Sequence, residues 1–122
     1  MAHFIYEYSA NLPEEQLDLP GLMEKMHQLA ENSGIFPLAG LRSRAIRCET
    51  FRVGDGNPEN GFVNLSMKVG RGRDLDTRME IGQTIFDLLV DHLQPLFDSR
   101  GLAVSFEMRE LEEHVKFNKK NI

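Results

Sequence analysis

The amino-acid sequence has few of the residues from which metal, redox or nucleophilic sites are built. Its only cysteine, Cys48, excludes an internal disulfide and any zinc site that needs two thiolates from one chain. The four histidines form no HExxH pair, and there is no GxSxG motif for a nucleophilic serine. Only Arg47 stands beside Cys48 to stabilise a thiolate, so we expect Cys48 to be a packed core residue. These absences argue against metal, redox and covalent chemistry.

Long hydrophobic segments and concentrated positive charge are also absent. Apolar runs are short, as in Leu88–Val90, whereas a membrane-spanning helix needs about 20 apolar residues. The N-terminal segment MAHFIYEYSA has no basic region ahead of an apolar stretch, so it predicts no secretory signal. Lysine and arginine total 14 against 19 aspartates and glutamates, which gives a formal net charge of −5. The composition therefore favours a cytoplasmic protein that binds neither membranes nor nucleic acid, because nucleic acid requires a concentrated positive surface.

The length of the chain sets the number of domains. A domain of this size buries roughly two-thirds of the surface that its unfolded form exposes, which is enough for one core and too little for two. We therefore predict a single domain over residues 1–122, with halves at residues 1–53 and 62–111. Residues 112–122 form a polar tail that is short of core residues. We expect this tail to be ordered only if it docks on a neighbouring subunit.

The first half of the chain predicts a strand, a helix and a second strand. Residues 3–9 alternate between two faces, with three aromatic side chains on one of them, and lead into a predicted loop at residues 10–16. Asp18 stands where a helix N-cap is expected, and apolar residues then recur at helical spacing as far as Gly34. Residues 41–53 contain many β-forming residue types and predict the second strand.

The second half repeats this order after a connection at residues 54–61 that has turn-forming residues and no core candidate. Residues 62–69 alternate and predict a third strand, and Asp74 is placed to cap a long helix. The apolar stripe of this helix has alternating steps of four and three and comprises Leu75, Met79, Gly82, Phe86, Leu89, Leu93 and Leu96. Pro95 is expected to kink or stop its last turn, and residues 102–108 predict the fourth strand.

The order strand, helix, strand thus occurs twice, and each unit favours a right-handed crossover between parallel strands. We therefore predict an α/β (α+β) fold in which two consecutive β-α-β units form a four-stranded mixed sheet with both helices on one face. The apolar or aromatic residues expected on the other face are Phe4, Tyr6, Tyr8 and Phe62. Helices on one face alone would leave these residues exposed, so we predict a homo-oligomer.

Two pairs of arginines offer an anion-binding site. Arg42 and Arg44 lie two residues apart on the second predicted strand and share a face, although a solvated strand edge would show the same pattern. Arg71 and Arg73 lie in the turn GRGR ahead of the long helix, where free N–H groups and the helix dipole favour an anion. An ordinary turn with two exposed cations is the alternative. GRGR lacks the spacing of a phosphate-binding loop, which argues against a nucleotide site.

The start of the chain offers a base. A strand that begins at residue 2 or 3 places the N-terminal amine against the sheet, where neighbouring arginines would lower its pKa and make it a usable proton acceptor. His3 lies beside this amine in the sequence and is a further titratable group there. A frayed terminus is the alternative interpretation.

Several segments together resemble a known family. The segments are HFIYEYS, DLPGLMEKM, GIFPLAGLRSRA, GFVNLSMKVGRGRDLDTR, LAVSFEMREL and FNKKN. On these the chain is identified as a member of the 5-carboxymethyl-2-hydroxymuconate isomerase family, in the tautomerase superfamily that includes 4-oxalocrotonate tautomerase. The resemblance covers essentially the whole chain, and GIFPLAGLRSR is its most specific piece. It implies a homotrimer and a cofactor-free isomerisation of a small, anionic, unsaturated carboxylic acid, 5-carboxymethyl-2-hydroxymuconate, in bacterial catabolism of the aromatic compound homoprotocatechuate.

The resemblance also implies roles for individual residues. In the family a free N-terminal proline is the general base, and arginines hold the substrate carboxylates and stabilise the dienolate that forms as the proton leaves. Arg42 matches the family arginine after PLAG, and Arg73 matches the arginine that closes GxGR. Arg44 is a third candidate for substrate binding.

This sequence departs from the family at the base, because it has Met1-Ala2-His3 where the family has Met-Pro-His. If Met1 is retained, the Ala2 nitrogen is an amide and cannot accept a proton, and the Met1 amine is one residue, about 3.8 Å, out of place. If Met1 is removed, Ala2 offers a primary amine with a reference pKa of about 7.7 to 8. His3 is the candidate substitute base.

Three explanations fit this departure. The first is that the residue at position 2 has been altered, and the second is that the enzyme is naturally slow. The third is that the chain is a non-catalytic homologue that keeps the anion pocket and binds without turnover. An isomerase of a different small unsaturated keto or enol acid is a further alternative, which differs only in the lining of the pocket.

Overall fold

The computed structural model describes all residues from Met1 to Ile122. Its four strands are β1 (Ala2–Ser9), β2 (Leu41–Cys48), β3 (Asn60–Val69) and β4 (Gly101–Glu110). They form one sheet in the spatial order β2-β1-β3-β4. β1 is parallel to β2, β3 is parallel to β4, and the two central strands, β1 and β3, are antiparallel. The structure confirms the predicted mixed sheet of two β-α-β units.

The helices are α1 (Glu14–Leu17), α2 (Leu19–Asn32), α3 (Leu75–His92) and α4 (Gln94–Ser99), with a 3₁₀ turn at Leu38–Gly40. Asp18 caps α2 by accepting a hydrogen bond from the Gly21 N–H at 3.2 Å, and Asp74 caps α3 by accepting one from Thr77 at 2.8 Å. Both caps agree with the sequence prediction, as does the helix break just before Pro95. The short helix α1 lies in a segment predicted as a loop. None of the helices has both the length and the hydropathy that crossing a membrane requires.

The helices pack on one face of the sheet and enclose a single hydrophobic core. Phe4 and Tyr6 of β1 and Leu65 and Met67 of β3 are fully buried in it. The core residues of α2 and α3 include Leu22, Met26, Ala30, Ile81, Ile85 and Leu89. Each large apolar side chain that is fully buried contributes about 1.5–3 kcal/mol, so this core fixes the position of the sheet beneath it.

The two faces of the sheet differ from the sequence prediction. The aromatic side chains of β1 face the helices, because the antiparallel register pairs Tyr6 with Leu65 and puts them on the same face as the aliphatic side chains of β3. The opposite face is mostly polar and carries His3, Glu7, Arg42, Arg44, Asn64, Ser66 and Lys68, with Ile5, Ile46 and Phe62 among them. The predicted placement of Phe4, Tyr6 and Tyr8 is therefore wrong, and these residues give no argument for an oligomer.

The buried side of α3 agrees with the prediction only in part. Gly82 and Leu89 of the predicted stripe are buried, as are Leu93 and Leu96 beyond the helix, but Leu75 and Met79 are 58% and 63% exposed. Ile81 and Ile85, which lie outside the predicted stripe, are buried instead. Apolar residues lie both on the predicted stripe and beside it, at Ile81 and Ile85, so periodicity by itself does not decide which side of the helix faces the sheet.

β2 is shorter than predicted. It ends at Cys48 and does not continue to residue 53, because it lies at the edge of the sheet and its partner β1 ends directly opposite, at Ser9. Cys48 is accordingly half-buried at a strand end and is not the packed core residue that the sequence predicts. The chain then runs without helix or strand until Asn60.

The C-terminal tail, residues 112–122, contains no helix or strand and is exposed. It contacts its own chain. The Leu111 N–H, just before the tail, donates to the Val69 carbonyl at 2.7 Å. The Lys116 ammonium lies against Gly70, 3.5 Å from where a Cβ of that residue would be. The sequence predicts order only through a neighbouring subunit, and the structure shows contacts within the chain.

Candidate active site

The N-terminal residue lies at the end of the sheet where β2 begins and β3 ends. Ala2, the first residue of β1, is fully buried. The Met1 carbonyl accepts a hydrogen bond from the Gly70 N–H at 3.2 Å. The Met1 nitrogen lies 3.4 Å from the position that a Cβ on Gly40 would occupy. The chain start is therefore held between two loops, which excludes the frayed terminus.

The surroundings of the N-terminal amine lower its pKa. Its pKa lies below the usual value, first because of burial and then because of the positive charges of Arg73, Lys120, Lys116 and Arg42. A lowered pKa increases the fraction of neutral amine at pH 7, and only the neutral amine accepts a proton. The neutral amine, the form that is able to accept a proton, is therefore favoured at the start of the chain.

Arg73 is held in place by three contacts. Its Nη1 donates to the Gly70 carbonyl at 2.9 Å and its Nη2 donates to the Ile35 carbonyl at 3.0 Å. Its Cζ also lies 4.5 Å from the centre of the Phe36 ring. A guanidinium carries more N–H groups than these bonds use, so Arg73 retains donors for a carboxylate or an enolate oxygen.

Arg42 and Arg44 lie on the face of β2 that is turned away from the helices. Arg42 is opposite His3 in the sheet and donates to the Gly40 carbonyl at 3.3 Å. The Nη1 of Arg44 lies 3.2 Å from Nδ1 of His3 and donates to it when the imidazole is neutral. Burial first, and then the charges of Arg44, Arg42, Lys68 and the N-terminus, lower the pKa of His3. The neutral imidazole is therefore favoured.

The predicted site residues thus occupy two adjacent places. Arg42 and Arg73 are both close enough to the N-terminal amine to lower its pKa. Arg44 contacts His3 instead, further along the same sheet face. Ala2 is buried, and its nitrogen is a peptide amide while Met1 is present.

The two arginines of the GRGR turn point to different parts of the structure. Gly72, between them, has a φ of +119°, which favours glycine, and the chain turns there. Arg71 donates from Nε to the Leu111 carbonyl at 3.2 Å and lies 4.0 Å from a carboxylate oxygen of Glu110. Arg71 therefore holds the end of β4, whereas Arg73 lies at the amine.

The cations around the amine have no acidic partners. Elsewhere, Arg47, Arg71, Arg78 and Arg109 form ion pairs with glutamates, whereas Lys25, Arg52, Arg100 and Lys119 have no acidic partner. No carboxylate oxygen lies within 4.0 Å of Arg42, Arg44, Lys68, Arg73, Lys116 or Lys120. The chain has 19 acidic and 14 basic residues, so acids are not scarce. An anionic ligand would supply the missing negative charge.

Sequence reasoning missed three of these cations. Lys68 lies opposite His3 in the antiparallel register of β1 and β3. Lys116 and Lys120 belong to the tail and act on the N-terminal amine through their charge. Lys68 and Lys120 lie in segments that carry the family resemblance, but nothing in the sequence assigns these lysines to the site, because their position depends on the pairing of strands and on the path of the tail.

The structure shows no enclosed cavity at this cluster and no metal centre. The two largest grooves measure about 540 Å³, between α3 and β4, and about 470 Å³, between α2 and α3. Met1, Arg42 and Arg73 line neither of them, and all three residues are only partly buried in the single chain. No group of three or more His, Cys, Asp or Glu side chains is placed to hold a metal ion.

Comparison with known proteins connects this arrangement to one family. The profile of the 5-carboxymethyl-2-hydroxymuconate isomerase family matches residues 2–122. The chain is 42% identical over 122 residues to the 5-carboxymethyl-2-hydroxymuconate Delta-isomerase of Escherichia coli, covering 100% of this chain and 96% of that protein.

Two crystal structures are similar over most of the chain. The first is a 5-carboxymethyl-2-hydroxymuconate isomerase from Deinococcus radiodurans R1, with a TM-score of 0.92, 34% identity and coverage of 98% of this chain and 90% of that one. The second is a 5-carboxymethyl-2-hydroxymuconate delta-isomerase, with a TM-score of 0.81, 25% identity and coverage of 99% and 89%. The similarity therefore extends over sequence and fold together.

Proposed function

The chain belongs to the 5-carboxymethyl-2-hydroxymuconate isomerase family, and from that premise we propose that it isomerises 5-carboxymethyl-2-hydroxymuconate without a cofactor. The observation that carries the proposal is the convergence of the N-terminal amine with Arg42 and Arg73, which have no acidic partner. The substrate is a conjugated diacid with a further carboxylate on its carboxymethyl arm. A cluster of unpaired cations beside a base suits such a molecule.

The reaction converts an enol into its keto tautomer. The 2-hydroxyl group loses its proton and becomes a keto oxygen, the double bonds move along the conjugated chain, and a carbon of the diene gains a proton. In our proposal the N-terminal amine accepts and returns the proton. Arg42 and Arg73 bind carboxylates and stabilise the negative charge that spreads over the dienolate. Arg44 extends the positive surface along the same face.

The identity of the N-terminal residue determines the position, the pKa and the rotational freedom of the amine. While Met1 is present, the amine lies at the end of the sheet, beside Gly40. Removal of Met1 would move the amine about 3.8 Å inward, to Ala2, where greater burial would lower its pKa further. A proline at this position would hold its amine through the ring, whereas the amine of Ala2 is free to rotate. We therefore expect slower turnover with Ala2 than with proline.

The experiment compares isomerisation rates of 5-carboxymethyl-2-hydroxymuconate by ultraviolet absorbance. The samples are this chain, an Ala2→Pro variant, and that variant with Arg73→Ala, each with its N-terminal residue established by mass spectrometry. We expect turnover by this chain, faster turnover after Ala2→Pro, and a strong loss after Arg73→Ala. Arg52→Ala is the matched control, because Arg52 donates only to the Asp55 carbonyl, at 3.0 Å, in a surface loop.

The other outcomes are equally informative. If this chain and the Ala2→Pro variant both bind a carboxylate analogue but neither isomerises the substrate, the site acts on another acid or serves binding alone, and the proposal is wrong. If His3→Ala abolishes turnover while Ala2→Pro leaves the rate unchanged, the base is His3. Proton exchange at the substrate carbon, followed by NMR in deuterated water, separates binding from slow catalysis.

We also propose that the chain acts as a homotrimer. β2 and β4 are open edges of the sheet, and open edges favour pairing with another chain. Met79 and Ile46 are 63% and 48% exposed, and the cationic cluster is only partly buried in the single chain. Light scattering should give three times the chain mass of 14.0 kDa. A monomer with full activity would contradict this part of the proposal.

A further inference from the structure

The C-terminal tail begins beside the candidate active site and is attached there. The Leu111 N–H donates to the Val69 carbonyl at 2.7 Å, which continues the pairing of β4 with β3. The Leu111 carbonyl accepts a hydrogen bond from Arg71 at 3.2 Å. Glu110 lies 4.0 Å from Arg71 and 3.9 Å from Arg78. The tail therefore leaves the sheet at the end that carries the N-terminal amine.

Lys116 returns to this end of the sheet. Its Nζ lies against Gly70, at 3.5 Å from the position of a Cβ on that residue. The N–H of Gly70 donates to Met1, and its carbonyl accepts from Arg73. One residue thus contacts the N-terminal residue, an active-site arginine and the tail lysine. Lys116 also contributes to the lowered pKa of the amine.

The ammonium of Lys116 has no acidic partner, although acids are close in the sequence. Glu112 accepts a hydrogen bond from the Val115 N–H, and Glu113 lies 3.7 Å from His114. No carboxylate oxygen lies within 4.0 Å of Lys116. A cation near another cation and near an amine is unfavourable without an anion between them, so this position fits a ligand carboxylate.

We propose that Lys116 binds the carboxylate on the carboxymethyl arm of the substrate and gives the site its preference for a tricarboxylate, an inference that rests on the function proposed above. Arg42 and Arg73 account for two carboxylates. Arg44, Lys68 and Lys120 are the competing candidates for the third carboxylate, and of these Arg44 already donates to His3. Lys116 lies against the glycine that contacts both Met1 and Arg73, so it is placed for a ligand that those groups hold.

The test compares two substrates that differ only in the arm, 5-carboxymethyl-2-hydroxymuconate and 2-hydroxymuconate. The full chain is assayed as Lys116→Met, Lys116→Arg and Lys119→Met at low ionic strength, because salt screens exposed charges. We expect Lys116→Met to raise KM for the tricarboxylate by about tenfold and to change KM for 2-hydroxymuconate little. Lys116→Arg should restore binding. Lys119→Met, in the same tail, should behave as the parent.

Three outcomes would overturn the inference. Equal losses on both substrates would show that Lys116 acts through the amine and not through the arm, and an unchanged KM would show that it makes no contact. Matching Arg44→Met and Lys120→Met measurements, in which one of these variants and not Lys116→Met loses the tricarboxylate preference, would assign the carboxymethyl group to that residue and refute the role of Lys116.

A binding measurement tests the role of Lys116 independently of the proposed function. If the parent chain isomerises neither substrate, the proposed function fails, and calorimetry with tricarballylate and glutarate still tests Lys116. The parent should prefer the tricarboxylate, and Lys116→Met should remove that preference. A preference that survives Lys116→Met would refute the role of this lysine.

Discussion

Replacing Arg73 by alanine should damage both the fold and the reaction, by amounts that the contacts of this side chain set. Arg73 makes two hydrogen bonds to carbonyls, at 2.9 and 3.0 Å, and its guanidinium lies 4.5 Å from the Phe36 ring centre. Each hydrogen bond contributes about 1 kcal/mol and the cation–π contact about 0.5–1 kcal/mol. The free energy of unfolding should therefore fall by about 2–3 kcal/mol, measured by urea denaturation.

The effect on the reaction should be larger. Removing a donor that stabilises developing negative charge typically lowers the rate by about 10²–10³-fold, and we expect a loss of this size in kcat/KM. The charge of Arg73 also lowers the pKa of the N-terminal amine. In Arg73→Ala the pKa of the amine should therefore rise. Because the reaction needs the neutral amine, the rise of kcat/KM with pH should occur at higher pH in this variant than in the parent. Arg73→Lys keeps the charge and should shift the profile less.

The assay is kcat/KM against pH for the parent, Arg73→Ala, Arg73→Lys and the control Arg52→Ala, at a temperature where circular dichroism shows each variant folded. Arg52→Ala should change both stability and rate little, because Arg52 is bonded only within an exposed loop. A folded Arg73→Ala variant with kcat/KM close to that of the parent would refute the assignment of Arg73 as a substrate contact.

Two further predictions concern the polar groups beneath β2. The Tyr6 hydroxyl is buried, with Ser43 as its polar neighbour, and it has no hydrogen-bond partner at normal distance. Tyr6→Phe should therefore leave the unfolding free energy in urea unchanged or raise it by up to about 1 kcal/mol; a clear loss would mean that the hydroxyl is bonded to Ser43. Burial lowers the pKa of His27 from 6.5 in the folded chain, so below pH 6.5 the unfolded chain binds more protons and stability should fall as the pH falls. His27→Gln should reduce this slope, and an unchanged slope would contradict the assignment.

The order of the elements could be predicted because each depends on a local pattern. Asp18 and Asp74 cap their helices through N–H groups three residues further on, and Pro95 interrupts the long helix because it lacks an N–H and its ring clashes with the preceding turn. The alternation of the strands likewise follows from a backbone period of two. These interactions involve residues close in sequence, which is why the sequence reveals them.

The inner face of β1 could not be predicted in the same way. Alternation shows that Tyr6 and Ile5 lie on opposite faces, but it does not show which face meets the helices. The register with β3, which pairs Tyr6 with Leu65, decides that question. The end of β2 at Cys48 has the same origin, because it depends on where the partner strand stops.

The sequence by itself determined the two β-α-β units and, through the family resemblance, the chain start, Arg42 and Arg73 as the candidate site. Only the tertiary structure decided which cations meet there. Arg71 and Arg73 are two residues apart in the sequence, yet Arg71 contacts the end of β4 and Arg73 contacts Gly70 beside the N-terminal residue. Lys116 lies against Gly70 although the two residues are remote in sequence. The physical reason is that local periodicity sets conformation within a segment, whereas strand pairing and core packing set the distances between segments that are remote in sequence.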